Sequence, residues 1–196
     1  MKTLKLLSFL LFIASFSLNA QQNIKVGDIY TFEDNTKGVV FYIDEEGRGL
    51  AVSLEQERRR WEEETNFVYC QDIVTIANEK DVETSLNVGL GKINTAYIIQ
   101  QLGEYKAPAA RYSRKNGAEW YLPSAGEMFY LVAYANLEGD INKALETAGG
   151  KKLNGWYWTS SEYNNGEAWR IAHNGKKKRC SKPDDCHRIC LSFLQK

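Results

Sequence analysis

The sequence predicts an α+β fold with mostly antiparallel strands and two or three short helices, and three observations carry that expectation. Short alternating segments open the chain, capped helical segments follow in its middle, and aromatic alternating segments return near its end. Strands grouped before and after helices, rather than alternating with them, argue for an antiparallel sheet instead of a parallel one.

The opening strands are VGDIYTF, GVVFYID and RGLAVSL, separated by Asp34 and Asn35 and by Glu46 and Gly47. Such turn residues between apolar runs predict an N-terminal meander. Residues 55–78 start charged, with Arg58, Arg59 and Arg60 on one side of Trp61 and Glu62, Glu63 and Glu64 on the other. They turn apolar at Phe67, Val68, Ile73, Val74 and Ile76, so a loop and then a short helix are expected. After Asn94 and Thr95, Ala96, Ile99 and Leu102 recur at three-residue steps and Gly103 supplies a stop, which predicts a helix lying on the sheet.

The next element is the most fully specified. Ser124 followed by Glu127 is a capping box, and Met128, Leu131, Val132 and Ala135 form one apolar helical face behind it. Pro123 stands just ahead of the cap, where its fixed φ turns the chain from WYL into the helix. Asp140 as N-cap and Gly149 as terminator bracket one more short helix. Beyond it GWYWTSS and EAWRIAH alternate. Asn174 and Gly175 signal a tight hairpin into KKKRC, and HRICLSF is the closing strand.

Lys2 and Lys5 precede an apolar run over residues 6–18 that ends near Asn19 and Ala20, the pattern of a secretory signal. A spanning helix needs about 20 apolar residues, so cleavage after Ala20 and export to the periplasm, surface or exterior are expected. The mature chain, residues 21–196, then has no transmembrane segment. It is read as one domain, because three prolines in the chain and the lack of repeats or low-complexity tracts leave no linker. Losing Lys2 and Lys5 leaves 23 basic against 25 acidic residues, a balance that gives no bulk attraction to nucleic acid.

Taken in order, residues 27–30, 38–42, Gly49 with Leu50, 120–128 (WYLPSAGEM), 158–163, Ala168 with Trp169, Asn174 with Gly175, and 188–193 resemble the Lcl C-terminal domain family. Those domains end collagen-like bacterial adhesins and have a C-type-lectin-like fold. The chain departs from the family pattern at Ile189, where proline is usual, and in the inserted RCSKPDDC. The resemblance implies a non-enzymatic binding module for a glycan or a surface protein, polyanionic polysaccharide among the candidates. The alternative is a structural part of a surface or fimbrial assembly. A third reading, a cysteine- or metal-dependent oxidoreductase, follows only from the distant fold kinship with formylglycine-generating enzymes, and fold alone does not transfer activity.

Cys70, Cys180, Cys186 and Cys190 are an even set, which in an exported chain favours two disulfides over thiols. Three pairings exist. The favoured one joins Cys180 to Cys186 across SKPDD and Cys70 to Cys190, the latter resembling the long disulfide of C-type lectin folds and stabilising by roughly 4 kcal/mol. The rival is zinc held by Cys180, Cys186, His187 and Cys190, at a spacing unlike paired CxxC sites.

No cofactor is expected. The calcium-binding tripeptides of calcium-dependent C-type lectins are missing, and Asp184, Asp185, Glu162, Asn164 and Asn165 would supply oxygens only if loops converged. The ligand-binding candidates are Trp156 and Tyr157, one of which is expected at the surface, and the basic run Lys176, Lys177, Lys178 and Arg179. Strand alternation forbids all the aromatics one face, and Trp158 and Trp169 are expected in the core. The competing reading of the lysines is protection of an edge strand against aggregation.

Overall fold

The computed structural model describes residues 24–63 and 76–184, and the backbone alone of 187–194. Three strands open it as an antiparallel meander: β1 (Ile29–Thr31), β2 (Lys37–Ile43) and β3 (Gly49–Arg59). Then come helices α1 (Glu79–Thr84), α2 (Leu90–Leu102) and α3 (Pro108–Ser113), the short β4 (Trp120–Tyr121), α4 (Ala125–Tyr130) running into a π-helical turn (Leu131–Ala135), and α5 (Asp140–Thr147). Strands β5 (Trp156–Asn164), β6 (Glu167–Ala172), β7 (Lys177–Ser181) and β8 (His187–Leu194) close the chain. The architecture is α+β around a largely antiparallel sheet.

The sheet runs β1-β2-β3-β8-β5-β6-β7, with β4 paired to β8. The last strand therefore enters the centre, antiparallel to β3 and parallel to β5, and joins the N-terminal meander to the C-terminal hairpins. Both faces of this sheet are covered, so its strands alternate between two cores. Val39, Phe41, Leu50, Val52, Tyr157, Trp169 and Ile171 pack with Met128, Ile141 and Leu145 of α4 and α5 on one side. Val40, Ala51, Trp158 and Ala168 pack with Trp61, Ile98 and Ala110 on the other.

The structure corrects several expectations. Residues 55–59 are strand, because Gln56, Glu57, Arg58 and Arg59 find backbone partners on β8. Among the described residues five α-helices stand where two or three were expected; α1 and α3 are only six residues each, EKDVET and PAARYS, and carry no long apolar stripe. Helix α2 starts at Leu90, a turn before Asn94 and Thr95, whose side chains are buried inside it: Thr95 donates to the Gly91 carbonyl at 2.7 Å. Gly139 caps α5, with Asp140 in its first turn. The β6–β7 hairpin is not a type I′ turn, which needs two positive φ values; among its residues Gly175 alone has one, at 77°. Finally β7 and β8 follow one another in sequence but are separated in the sheet by β6 and β5. The signal segment, Cys70, Cys186, Asp185 and the apolar stretch 67–74 lie outside the described residues, as do the side chains of His187 and Cys190.

Candidate functional site

WYLPSAGEM and GWYWTSSEY turn out to be two sides of one internal seam. The capping box forms in both directions: Ser124 Oγ accepts from the Glu127 amide at 3.2 Å, and Glu127 Oε2 accepts from the Ser124 amide at 2.8 Å. The same buried carboxylate also accepts from the Gly89 and Gly91 amides, at 2.8 and 3.2 Å, and from the Tyr121 hydroxyl at 3.1 Å. Burial raises the Glu127 pKa, and the Ser124 and Gly89 amides pull against that rise. From β5, Ser160 donates its amide to the Pro123 carbonyl at 2.8 Å and Ser161 Oγ accepts from the Ala125 amide at 3.0 Å. Two glycines permit the approach. A Cβ on Gly91 would lie 2.5 Å from Glu127 Oε2, and one on Gly126 would strike the Ser85 carbonyl.

Of the residues singled out for ligand contact, Tyr157 is fully buried, and its hydroxyl donates to Gln56 Oε1 at 2.8 Å. It is a core residue, because helices cover both faces of the sheet at β5. Trp156 is the half-exposed member of the pair, with the Arg170 guanidinium 4.6 Å above its ring. The basic run is divided by strand alternation. Lys177 is nearly buried, bonded to Glu83 Oε1 at 2.5 Å and lying 4.6 Å over the Phe129 ring. Arg179 shares that face, exposed but stacked 4.2 Å from Tyr163, whereas Lys178 is exposed on the other face of edge strand β7 and Lys176 is exposed just before it. The four cations do not make one patch.

Cys180 lies partly buried on β7, its Sγ 3.1 Å from Asp184 Oδ2; burial first, then Asp184, pushes the thiol up to about 11. Among the described residues no three His, Cys, Asp or Glu side chains gather as a metal site. Two of the residues considered for calcium, Glu162 and Asn164, are engaged otherwise. Glu162 is buried against Lys182, and Asn164 Oδ1 accepts the Gly166 and Glu167 amides, both at 2.9 Å, in the β5–β6 turn.

One cleft is not announced by any sequence motif. It is a cleft of about 670 Å³ where the end of β3 meets α3 and the turn after it. Arg59, Arg111, Arg114 and Lys115 line it, against Glu63 and Glu104. Two tyrosines form its apolar walls. Tyr105 is 84% exposed with the Arg111 guanidinium 5.4 Å from its ring, and Tyr112 carries Arg59 and Lys115 at 4.8 and 4.6 Å. Burial, followed by the neighbouring Glu57, raises the Tyr112 pKa, so the phenol stays protonated and donates to Glu57 Oε2 at 3.4 Å. Pro108 at the first position of α3 sets the helix start, and the Lys106 carbonyl holds the Glu63 amide at 3.0 Å, fixing the two rims together. Such a cleft offers planar donors and flat rings, a combination that fits carboxylate or sulfate groups carried on a ring.

No helix of the described residues is long and apolar enough to cross a membrane. No family model and no curated protein matches the sequence. A solved structure is similar in fold: a fimbrial protein from Bacteroides ovatus, with a TM-score of 0.59 and 16% identity, covering 88% of this chain. The chain spans about half the length of that protein, 49%. At this identity the likeness establishes a shared fold.

Proposed function

We propose that the chain is an exported, non-enzymatic component of a surface or fimbrial assembly. The observation that carries this reading is the fold shared with the Bacteroides ovatus fimbrial protein over 88% of the chain. The signal-like N-terminus and the interior use of both motif tracts agree with it: their polar groups bond to each other and build a rigid body. Tagging the chain in its native cells and shearing them tests the proposal. Recovery with high-molecular-weight filaments supports it, and recovery as a monomer from the soluble envelope fraction overturns it.

A second reading is supported by the α3 cleft. Here the chain is a recognition module of C-type-lectin-like type related to the Lcl C-terminal domains, holding an acidic glycan between Arg111, Arg114 and Tyr105. The ordered run of family-like motifs supports the kinship, and the cleft's cations and exposed ring support the ligand class. A glycan array separates the two readings, since a purely structural component retains no acidic oligosaccharide.

A further inference from the structure

Lys182 is the most unusual charged residue in the described structure, because its side chain has no exposed surface at all. Its Nζ bonds Glu162 Oε1, lies 3.7 Å from Glu62 Oε2, and sits 4.4 Å over the Trp61 ring. Both carboxylates are buried too. The backbone of Lys182 is clamped as tightly: its amide donates to the Gly166 carbonyl at 2.9 Å, and its carbonyl accepts from the Trp61 and Glu62 amides at 3.0 and 3.3 Å. Amine, carboxyl and second carboxyl are thus held in register by three separate segments, the turn after β7, the strand β5 and the residues following β3.

Both carboxylates approach the one ammonium in a buried site, so amine and acid are held in contact away from bulk water. Moving a proton from Lys182 to Glu162 removes the charge separation and creates an amine beside a carboxylic acid. Fixed proximity of this kind replaces the high concentration that such a condensation needs in water.

We propose that Lys182 and Glu162 join in an intramolecular amide, with Glu62 moving the protons. The Nζ lone pair attacks Glu162 Cδ, forming the new C–N bond. Glu62 takes a proton from the nitrogen and returns it to the departing hydroxyl, the C–O bond breaks, and one water leaves. No oxidant or external reagent enters. The amide ties the end of edge strand β7 to β5, two strands inward, so the β6–β7 hairpin cannot peel from the sheet under tension. Resistance of that kind is governed by the unfolding rate, and it suits a chain exposed outside the cell.

Intact-mass spectrometry of the reduced full chain, with its N-terminus established by sequencing, decides the matter. The wild type is expected lighter than its sequence by one water, with a branched proteolytic fragment joining the Lys182 and Glu162 peptides. Lys182→Met is expected at full sequence mass, and so is Glu62→Gln, whose amide cannot relay protons. A wild type at full sequence mass overturns the proposal, as does a branch mapped to any other pair. Loss of water in Glu62→Gln overturns the role of Glu62. The wild-type measurement stands even where a variant fails to fold.

Discussion

The seam between WYLPSAGEM and GWYWTSSEY and the cleft beside α3 are built from similar residues, aromatics beside charged and hydroxyl groups, yet they do opposite things. In the seam Glu127 is surrounded by donors from three elements, and Trp158 is buried with its Nε1 donating to the Arg59 carbonyl at 3.1 Å. In the cleft Arg111 and Tyr105 are exposed and meet each other across open space. The contrast teaches that the most recognisable tracts of this chain specify its interior. The surface fit for a ligand is assembled from residues without any motif.

The largest expected effect comes from breaking the seam at its centre. Glu127→Ala leaves three backbone amides and the Tyr121 hydroxyl without their buried acceptor, at roughly 1–3 kcal/mol for each unsatisfied group, tempered by relaxation. A loss of about 4 kcal/mol or more in urea unfolding is expected, a large share of the roughly 5–15 kcal/mol that holds an ordinary domain together. A loss below about 1 kcal/mol would show that the carboxylate does not organise the seam.

Trp156 and Trp158 on β5 give the next test, because they share a strand face yet differ in burial, Trp158 being fully buried and Trp156 half-exposed nearer the strand end. Trp158→Ala empties a buried site and should cost about 3–5 kcal/mol. Trp156→Ala removes a half-exposed ring stacked under Arg170 and should cost no more than about 1 kcal/mol. Equal costs would mean that β5 is not covered at Trp158 as described.

This pair also shows which features were legible from sequence. The capping box, the opening meander and the alternating closing strands rest on local patterns, and each appears where its residues placed it. Tyr157 is buried, not a surface residue, because alternation separates two faces without saying that both are covered; α2 and α4 both pack on β5. Residues 55–59 looked like loop because EQERR has no apolar side chain, and only the distant β8 ladder makes them strand. The α3 cleft was invisible for a similar reason. Arg59 and Arg111 stand far apart in the chain, α3 is a single turn, and no spacing rule connects them. The insertion of β8 between β3 and β5 is equally non-local.

On the cleft side, Arg111→Ala should leave unfolding free energy within about 0.5 kcal/mol, because Arg111 is exposed. The same variant should lose retention on an acidic-oligosaccharide column. Lys176→Ser with Lys178→Ser should keep retention, because those lysines lie just before and on edge strand β7, outside the cleft lining. Loss with the second variant and none with the first would move the ligand site to β7.

The smallest expected effect is one of pH, and it distinguishes a seam carboxyl from a surface one by sign. Burial raises the pKa of Glu127, so the folded state holds that proton more tightly than the unfolded chain does. Its contribution to stability is fully present below the ordinary glutamate value and is lost as pH rises through the raised folded value. Asp34, in the exposed β1–β2 turn, has the opposite character: the Thr36 hydroxyl and then its amide lower the Asp34 pKa. That contribution is present above the ordinary aspartate value and is lost as pH falls through the lowered one. Unfolding curves across the acid range, compared between wild type, Glu127→Gln and Asp34→Asn, read each slope by difference. Wild type should lose stability relative to Glu127→Gln as pH climbs and relative to Asp34→Asn as pH drops. If both differences ran in the same direction, Glu127 would not be titrating in a buried seam, and the distinction between framework and surface at that carboxyl would fail.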